Sequence, residues 1–172
     1  MGSYQYGKDE VCAWIRQRFN PDCTILDVGA CNGKWRGLLP EYIMDAIEIF
    51  KPNADALTGY RLTICGDILD YCYKWYDLII FGDVIEHMPI EAAQAVIEYA
   101  RTHCRDMIIA VPYEYIQDEL YGNRWERHIQ DDLTPAIFDA RYPGFEVLVN
   151  PGHNYCYYHK RGIKDDDQIY SR

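Results

Sequence analysis

No stretch of the chain approaches the ~18 consecutive apolar residues that a membrane-spanning helix needs. The opening MGSYQYGKDE also lacks the charged-then-apolar layout of a signal peptide. These absences argue against a membrane partner and make the cytoplasm the expected location. Basic residues are scarce: 17 Lys and Arg face 27 Asp and Glu, a formal net charge of −10, which disfavours binding to a phosphate backbone and so argues against nucleic acid. The seven cysteines are odd in number and contain no CxxC pair, so neither a zinc cluster nor a closed disulfide framework is indicated, and reduced, mostly buried thiols are expected. There is no HExxH-like set, and Glu86 and His87 are adjacent rather than at the spacing of a helical ligand pair, so no metal is expected. Repeats, low-complexity tracts and Gly/Ser/Pro linkers are absent too, and the 172 residues read as one domain over 1–172.

What is present suits a packed core. Hydrophobic residues make up 49% of the chain, and aromatics reach 15% because of 16 tyrosines, which excludes a disordered segment. Val11, Trp14, Ile15 and Phe19 recur at helical spacing before Asn20-Pro21-Asp22 breaks the pattern, giving an N-terminal helix over 8–20. Thr24 to Val28 is a compact apolar run closed by Gly29-Ala30-Cys31-Asn32-Gly33, after which Trp35, Leu38 and Leu39 resume helical spacing. Strands are expected again over Met44 to Ile49, Arg61 to Cys65, Asp77 to Phe81 and Met107 to Val111. Helical segments are expected over Pro52 to Leu57, Ile68 to Lys74, Ile90 to His103 and Thr134 to Ala140. Strands that are continuously apolar and alternate with helices predict a parallel sheet covered on both faces, an α/β doubly wound fold. Phe145 to Val149 and Tyr155 to His159 read as an antiparallel hairpin turning at Asn150-Pro151-Gly152.

Ligands of such a sheet bind beyond the carboxyl ends of the strands. Four consecutive strands each deliver an acid there: Asp27 with its glycine loop, Glu48, Asp67, and Gly82-Asp83 followed by Glu86-His87. Glu48 stands 21 residues after Asp27, close to the ~20 that separate a glycine-rich turn from a ribose-binding acid. A carboxylate there accepts both ribose hydroxyls and repels a 2′-phosphate, which favours a nucleoside or NAD over NADP. The loop lacks a full GxGxxG pattern, which fits a ligand without the pyrophosphate that such loops cradle.

The segments ILDVGACNG (Ile25 to Gly33), IEIF (Ile47 to Phe50), GDI (Gly66 to Ile68) and DLIIFGDVIEHM (Asp77 to Met88) resemble, in order, the motifs of class I S-adenosylmethionine-dependent methyltransferases. The resemblance implies a Rossmann-like doubly wound sheet of seven strands, mostly parallel, with the antiparallel C-terminal hairpin. It also implies S-adenosyl-L-methionine as cofactor and S-adenosyl-L-homocysteine as product. By the same resemblance Asp27 and the backbone of Gly29, Ala30, Cys31 and Gly33 would hold the amino-acid portion, and Glu48 with Ile49 the ribose. Asp67 and Ile68 would take the adenine, and Gly82 and Asp83 the methionine and sulfonium side. An acidic rim suits a cationic sulfonium better than an anionic pyrophosphate. Cys31 stands where the family loop has its middle glycine, and a left-handed backbone at that position would disfavour a side chain.

Methyl transfer from a sulfonium is an in-line displacement that needs alignment, and a base where the acceptor carries a proton. His87 and His128 lie in the two segments expected to face the acceptor and are the candidate catalytic bases. The insertion over 113–132, with Tyr113, Tyr115, Tyr121, Trp125, Arg127 and His128, exceeds the usual ~2 to 6 residue connection and is expected to cover the acceptor pocket. Its aromatic content suits a small-molecule or glycan-type acceptor. With one short helix before the first strand and no cap domain, a large acceptor or a homodimer would complete that side. The stretch 163–172 reads as a flexible tail. An NAD-dependent oxidoreductase and a catalytically idle cofactor-binding module are the competing readings, and fold alone does not separate them.

Overall fold

The computed structural model describes residues 6–163. Strands β1 (Thr24–Val28), β2 (Ile43–Glu48), β3 (Leu62–Cys65), β4 (Tyr76–Gly82), β5 (Cys104–Pro112), β6 (Glu146–Gly152) and β7 (Tyr155–Arg161) form one sheet in the order β3-β2-β1-β4-β5-β7-β6. The first five pair in parallel, and β7 lies antiparallel between β5 and β6. The expected seven-stranded Rossmann-like sheet with its antiparallel hairpin is the architecture observed.

Its core has two layers because the central strands are apolar on both faces. Ile79 and Phe81 of β4, with Met107, Ile109 and Val111 of β5, pack under helices α4 (Ile90–Arg101) and α5 (Pro135–Arg141). Leu78, Ile80, Ile108 and Ala110 point the other way, against α1 (Lys8–Arg18) and α2 (Lys34–Leu38). All nine of these strand residues are fully buried, at roughly 1.5–3 kcal/mol for each large side chain removed from water. A short α3 (Lys51–Ala56) bridges β2 and β3. The N-terminal helix is shorter than 8–20, since Phe19 is already extended and only its N–H still bonds the helix, at Ile15 O.

Two expectations need correction. Ile68 to Lys74, expected to hold one or two helical turns, holds a single 3₁₀ turn, Ile68–Asp70: Asp67 caps its start at Leu69 N (2.9 Å), and Tyr71 is already back in extended geometry. The hairpin turns at His153-Asn154, both left-handed (φ 58 and 55), rather than at Asn150-Pro151-Gly152. That tripeptide forms the irregular end of β6, where the register with β7 shifts twice, as a proline without an N–H requires of a strand. Of the tail expected over 163–172, only Ile163 is described, its N–H donating to Arg101 O (2.8 Å); the remainder lies outside the described residues.

Candidate active site

Chain order reverses between β1, whose chain proceeds outward to β2 and β3, and β4, which starts the other half. The crevice at such a reversal is where doubly wound sheets bind ligands. A cavity of about 640 Å³ opens there, within the ~300–1,000 Å³ usual for ligand sites. Its walls include Gly29, Ala30, Cys31, Glu48, Ile49, Asp67, Ile68, Gly82, Asp83, His87 and His128. Eleven of the thirteen residues expected to form the site therefore share one cavity; Asp27 and Gly33 do not line it.

The loop after β1 is shaped by three left-handed residues, Gly29 (φ 66), Cys31 (φ 48) and Gly33 (φ 72). Gly29 N and Ala30 N donate to Ile47 O (2.9 and 3.4 Å), which ties the loop to β2. A Cβ on Gly29 would lie 2.6 Å from Val84 Cγ2, and one on Gly82 would lie 2.7 Å from Trp35 Nε1, so both glycines are fixed by close approach. Gly33 acts behind the cavity, turning the chain into α2. Cys31 does hold the conformation that disfavours a side chain. Cys31→Gly is accordingly expected to keep or raise stability, by up to about 1 kcal/mol, read as a thermal midpoint unchanged or higher; a lower midpoint contradicts this account of the loop.

Glu48, at the end of β2, is 5% exposed. Its Oε2 accepts from Cys31 N and its Oε1 from Phe50 N, both at 2.8 Å. Each oxygen keeps a second lone pair, so the carboxylate is fixed at the cavity wall with acceptor capacity left for a diol. Burial raises its pKa, opposed by the Phe50 and Cys31 N–H groups. Across the cavity, Asp83 is left-handed (φ 57) and its Oδ1 accepts from the Tyr155 hydroxyl at 2.5 Å. Trp35 Nε1 is buried in the same wall and has no hydrogen-bond partner among the described residues.

Asp27 faces away from the cavity. Its Oδ2 accepts from the Tyr60 hydroxyl at 2.6 Å, and burial pushes its pKa up to about 7 against the pull of Tyr60 and the nearby Lys8. Lys8 has no counterpart in the sequence reading. Fully buried, its ammonium sits 4.3 Å above the Trp35 ring, a cation–π contact in the layer behind the loop, and burial brings its pKa down to about 8. A carboxyl whose folded pKa is raised favours folding when protonated, so its contribution is present below the unfolded pKa and is lost as pH rises through about 7. Asp27→Asn keeps an acceptor for Tyr60 and removes the buried charge. Chemical denaturation at several pH values is expected to show it about equal to the parent near pH 4 and ~2 to 4 kcal/mol more stable near pH 8; a constant difference would contradict the assigned shift.

The other end of the cavity is built from the turn after β4 and the long insertion. Ile85–His87 is a 3₁₀ turn, and the insertion is laced to it: Ile129 N and Gln130 N donate to Glu86 O (2.8 and 2.9 Å), and Gln130 Nε2 donates to Ile85 O and Met88 O. This brings His87 and His128 into edge-to-face contact, ring centroids 4.6 Å apart. His87 Nδ1 lies 3.1 Å from Arg127 O and His128 Nδ1 lies 2.7 Å from Tyr115 O. A carbonyl accepts only from N–H, so both rings carry the proton on Nδ1 and present a bare Nε2. Burial lowers both pKa values, that of His128 to about 4 with added repulsion from His87. Beside them Glu86 is 0% exposed with neither carboxyl oxygen hydrogen-bonded among the described residues; burial first, then the charge of Asp83, drives its pKa well up. The sequence places Glu86 at a strand end without giving it a role; its burial makes it a further functional candidate. Tyr115, Trp125 and Arg127 of the insertion line the cavity, whereas Tyr113 is buried against Tyr158 and Tyr121 is 86% exposed.

No protein-family model matches the chain, and no curated protein matches it. Solved structures do. A S-adenosylmethionine-dependent methyltransferase from Clostridium acetobutylicum is 14% identical with a TM-score of 0.68, covering 93% of each chain. The N-terminal domain of EvdMO1, solved in the presence of S-adenosylhomocysteine and D-fucose, is 16% identical with a TM-score of 0.65, over 93% of this chain and 84% of that one. Magnesium protoporphyrin IX methyltransferase from Synechocystis with bound S-adenosylmethionine is 17% identical with a TM-score of 0.60, over 90% and 77%. At these identities the likeness is one of architecture: this chain has the Rossmann-like fold of S-adenosylmethionine-dependent methyltransferases.

Proposed function

We propose that the chain, acting as a single domain, is a S-adenosylmethionine-dependent methyltransferase acting on a small-molecule or glycan-type acceptor. The observation that carries the reading is the convergence of the four strand-end segments on one cavity, with Glu48 fixed by two backbone N–H groups and able to accept more. The cradle fits the cofactor: Gly29 leaves bare backbone where a Cβ has no room, and Glu48, Asp67 and Asp83 make an acidic lining suited to a cation. Asp27, buried behind the loop, supports that loop through Tyr60 rather than touching the ligand. The bound cofactor supplies an electrophilic methyl group on a sulfonium. Glu48, Asp67 and Asp83 would hold that cofactor, and the acceptor would face the His87/His128 end, where a bare imidazole Nε2 would take up its proton. What the chain contributes is alignment and a dry cavity.

Tyr115 and Trp125 give that end two partly exposed aromatic faces, the kind of surface on which a planar ring or a sugar stacks. The EvdMO1 domain, solved with a sugar, supports the same class. All seven cysteines are free thiols, in keeping with a reducing cytoplasm, and among the described residues no helix is long and apolar enough to cross a membrane. Transfer of labelled methyl from S-adenosylmethionine to panels of hydroxyl-bearing sugars, phenols and amines tests the proposal. Label is expected in an oxygen or nitrogen acceptor, and no transfer to any panel would leave the idle module as the better reading.

A further inference from the structure

We propose that Glu86, His87 and His128 form a binding site for a late first-row divalent metal ion such as Zn²⁺, Co²⁺ or Fe²⁺, open toward the cavity for an oxygen ligand. One ligand atom from each residue can be chosen so that all three lie within 4.8 Å of one another. Bonds of ~2.1 Å to a common ion place neighbouring ligand atoms ~3 to 3.5 Å apart, so modest side-chain rotation closes the set.

Three independent features point to a cation rather than to ordinary packing. First, both imidazoles are oriented through Nδ1–H to backbone carbonyls, Arg127 O and Tyr115 O, the outer contact that nearly all metal-ligating histidines make and that leaves Nε2 as the donor. Second, the Glu86 carboxyl is fully buried and, among the described residues, no other residue gives either of its oxygens a hydrogen-bond partner, which is costly for a carboxyl. Its backbone carbonyl accepts from Ile129 N and Gln130 N of the insertion that carries His128. Third, Asp83 adds negative charge nearby, so the locality favours a cation. Two imidazoles with one carboxylate select zinc or iron-like ions over magnesium or calcium, which prefer all-oxygen shells.

The adjacency of Glu86 and His87, which disqualifies the pair on a regular helix, ceases to matter because they sit in a 3₁₀ turn and the third ligand, His128, arrives from the insertion after β5. Three protein ligands leave positions for a substrate oxygen. Such an ion acidifies a hydroxyl bound to it; this consequence rests on the methyltransferase reading and narrows the acceptor to one with a metal-binding oxygen. The ion, rather than a free imidazole, would then govern loss of the acceptor proton.

The full chain, stripped with chelator, is titrated with Co²⁺ and, separately, with S-adenosylhomocysteine. One equivalent of Co²⁺ is expected to bind with visible absorption bands, and His87→Ala and His128→Ala are expected to weaken it on the order of 100-fold or more. X-ray absorption of the zinc-loaded parent decides the case even if a variant does not fold: a nitrogen and oxygen shell with imidazole scattering is expected, and a sulfur shell from the free cysteines overturns the site. Failure to bind one equivalent, or full affinity in a folded His128→Ala, also overturns it. A chain that binds S-adenosylhomocysteine but not Co²⁺ overturns the metal site alone, and one that binds Co²⁺ but not S-adenosylhomocysteine overturns the cofactor reading alone.

Discussion

Replacing Glu48 with alanine is expected to weaken S-adenosylhomocysteine binding about 100-fold or more. Hydrogen bonds to a charged acceptor contribute roughly 1.5–3 kcal/mol each, and a ribose offers two hydroxyls to this carboxylate; ~2.8 kcal/mol already corresponds to that factor. The variant also strips the acceptors from Cys31 N and Phe50 N, so the loop after β1 loses its tie to the end of β2. Calorimetry on the parent and on Glu48→Ala, with unfolding measured in parallel, separates lost contacts from lost fold. A folded variant that binds as the parent does would show that the ligand does not reach Glu48.

The second large effect is expected at Gly29. An added methyl group would meet Val84 Cγ2 at 2.6 Å, and φ of 66° is left-handed. Strain of roughly 1–2 kcal/mol adds to an overlap that only movement of the loop or of the turn after β4 can relieve, at roughly 1–3 kcal/mol more. Gly29→Ala should therefore destabilise the fold by about 2 to 5 kcal/mol and abolish measurable cofactor binding, because Val84 and Gly29 both line the cavity. Denaturation with the same stability as the parent would mean that the loop is not wedged against β4's turn.

The contrast between Gly29 and Cys31 shows what the sequence could and could not convey. The string from Ile25 to Gly33 announces strand, turn and helix through its apolar run and its glycines, and the turn is where expected. The bare string cannot say that Cys31 occupies a left-handed slot, since that depends on the hydrogen bonds that the loop N–H groups donate to Ile47 O and to the Glu48 carboxylate of β2. Glu48, Asp67 and Gly82-Asp83 were readable because each stands at the end of a mostly apolar run, and strand ends in a parallel sheet converge. Asp27 misled for the same reason: it sits one residue inside its strand, where the side-chain alternation turns it away from the cavity toward Tyr60. Lys8 and Glu86 were hidden because burial of a charged side chain is a tertiary fact, set by Trp35 and Tyr157 around one and by the insertion around the other. The hairpin turn moved because His153 and Asn154 carry no glycine signal, although asparagine tolerates the left-handed region well enough to serve.

Calorimetric titration of the full chain with S-adenosylhomocysteine and, in a matched experiment, with NAD tests the central claim most directly. One-to-one binding of S-adenosylhomocysteine with no detectable NAD binding is the predicted result. NAD binding as tight as, or tighter than, S-adenosylhomocysteine would contradict the account.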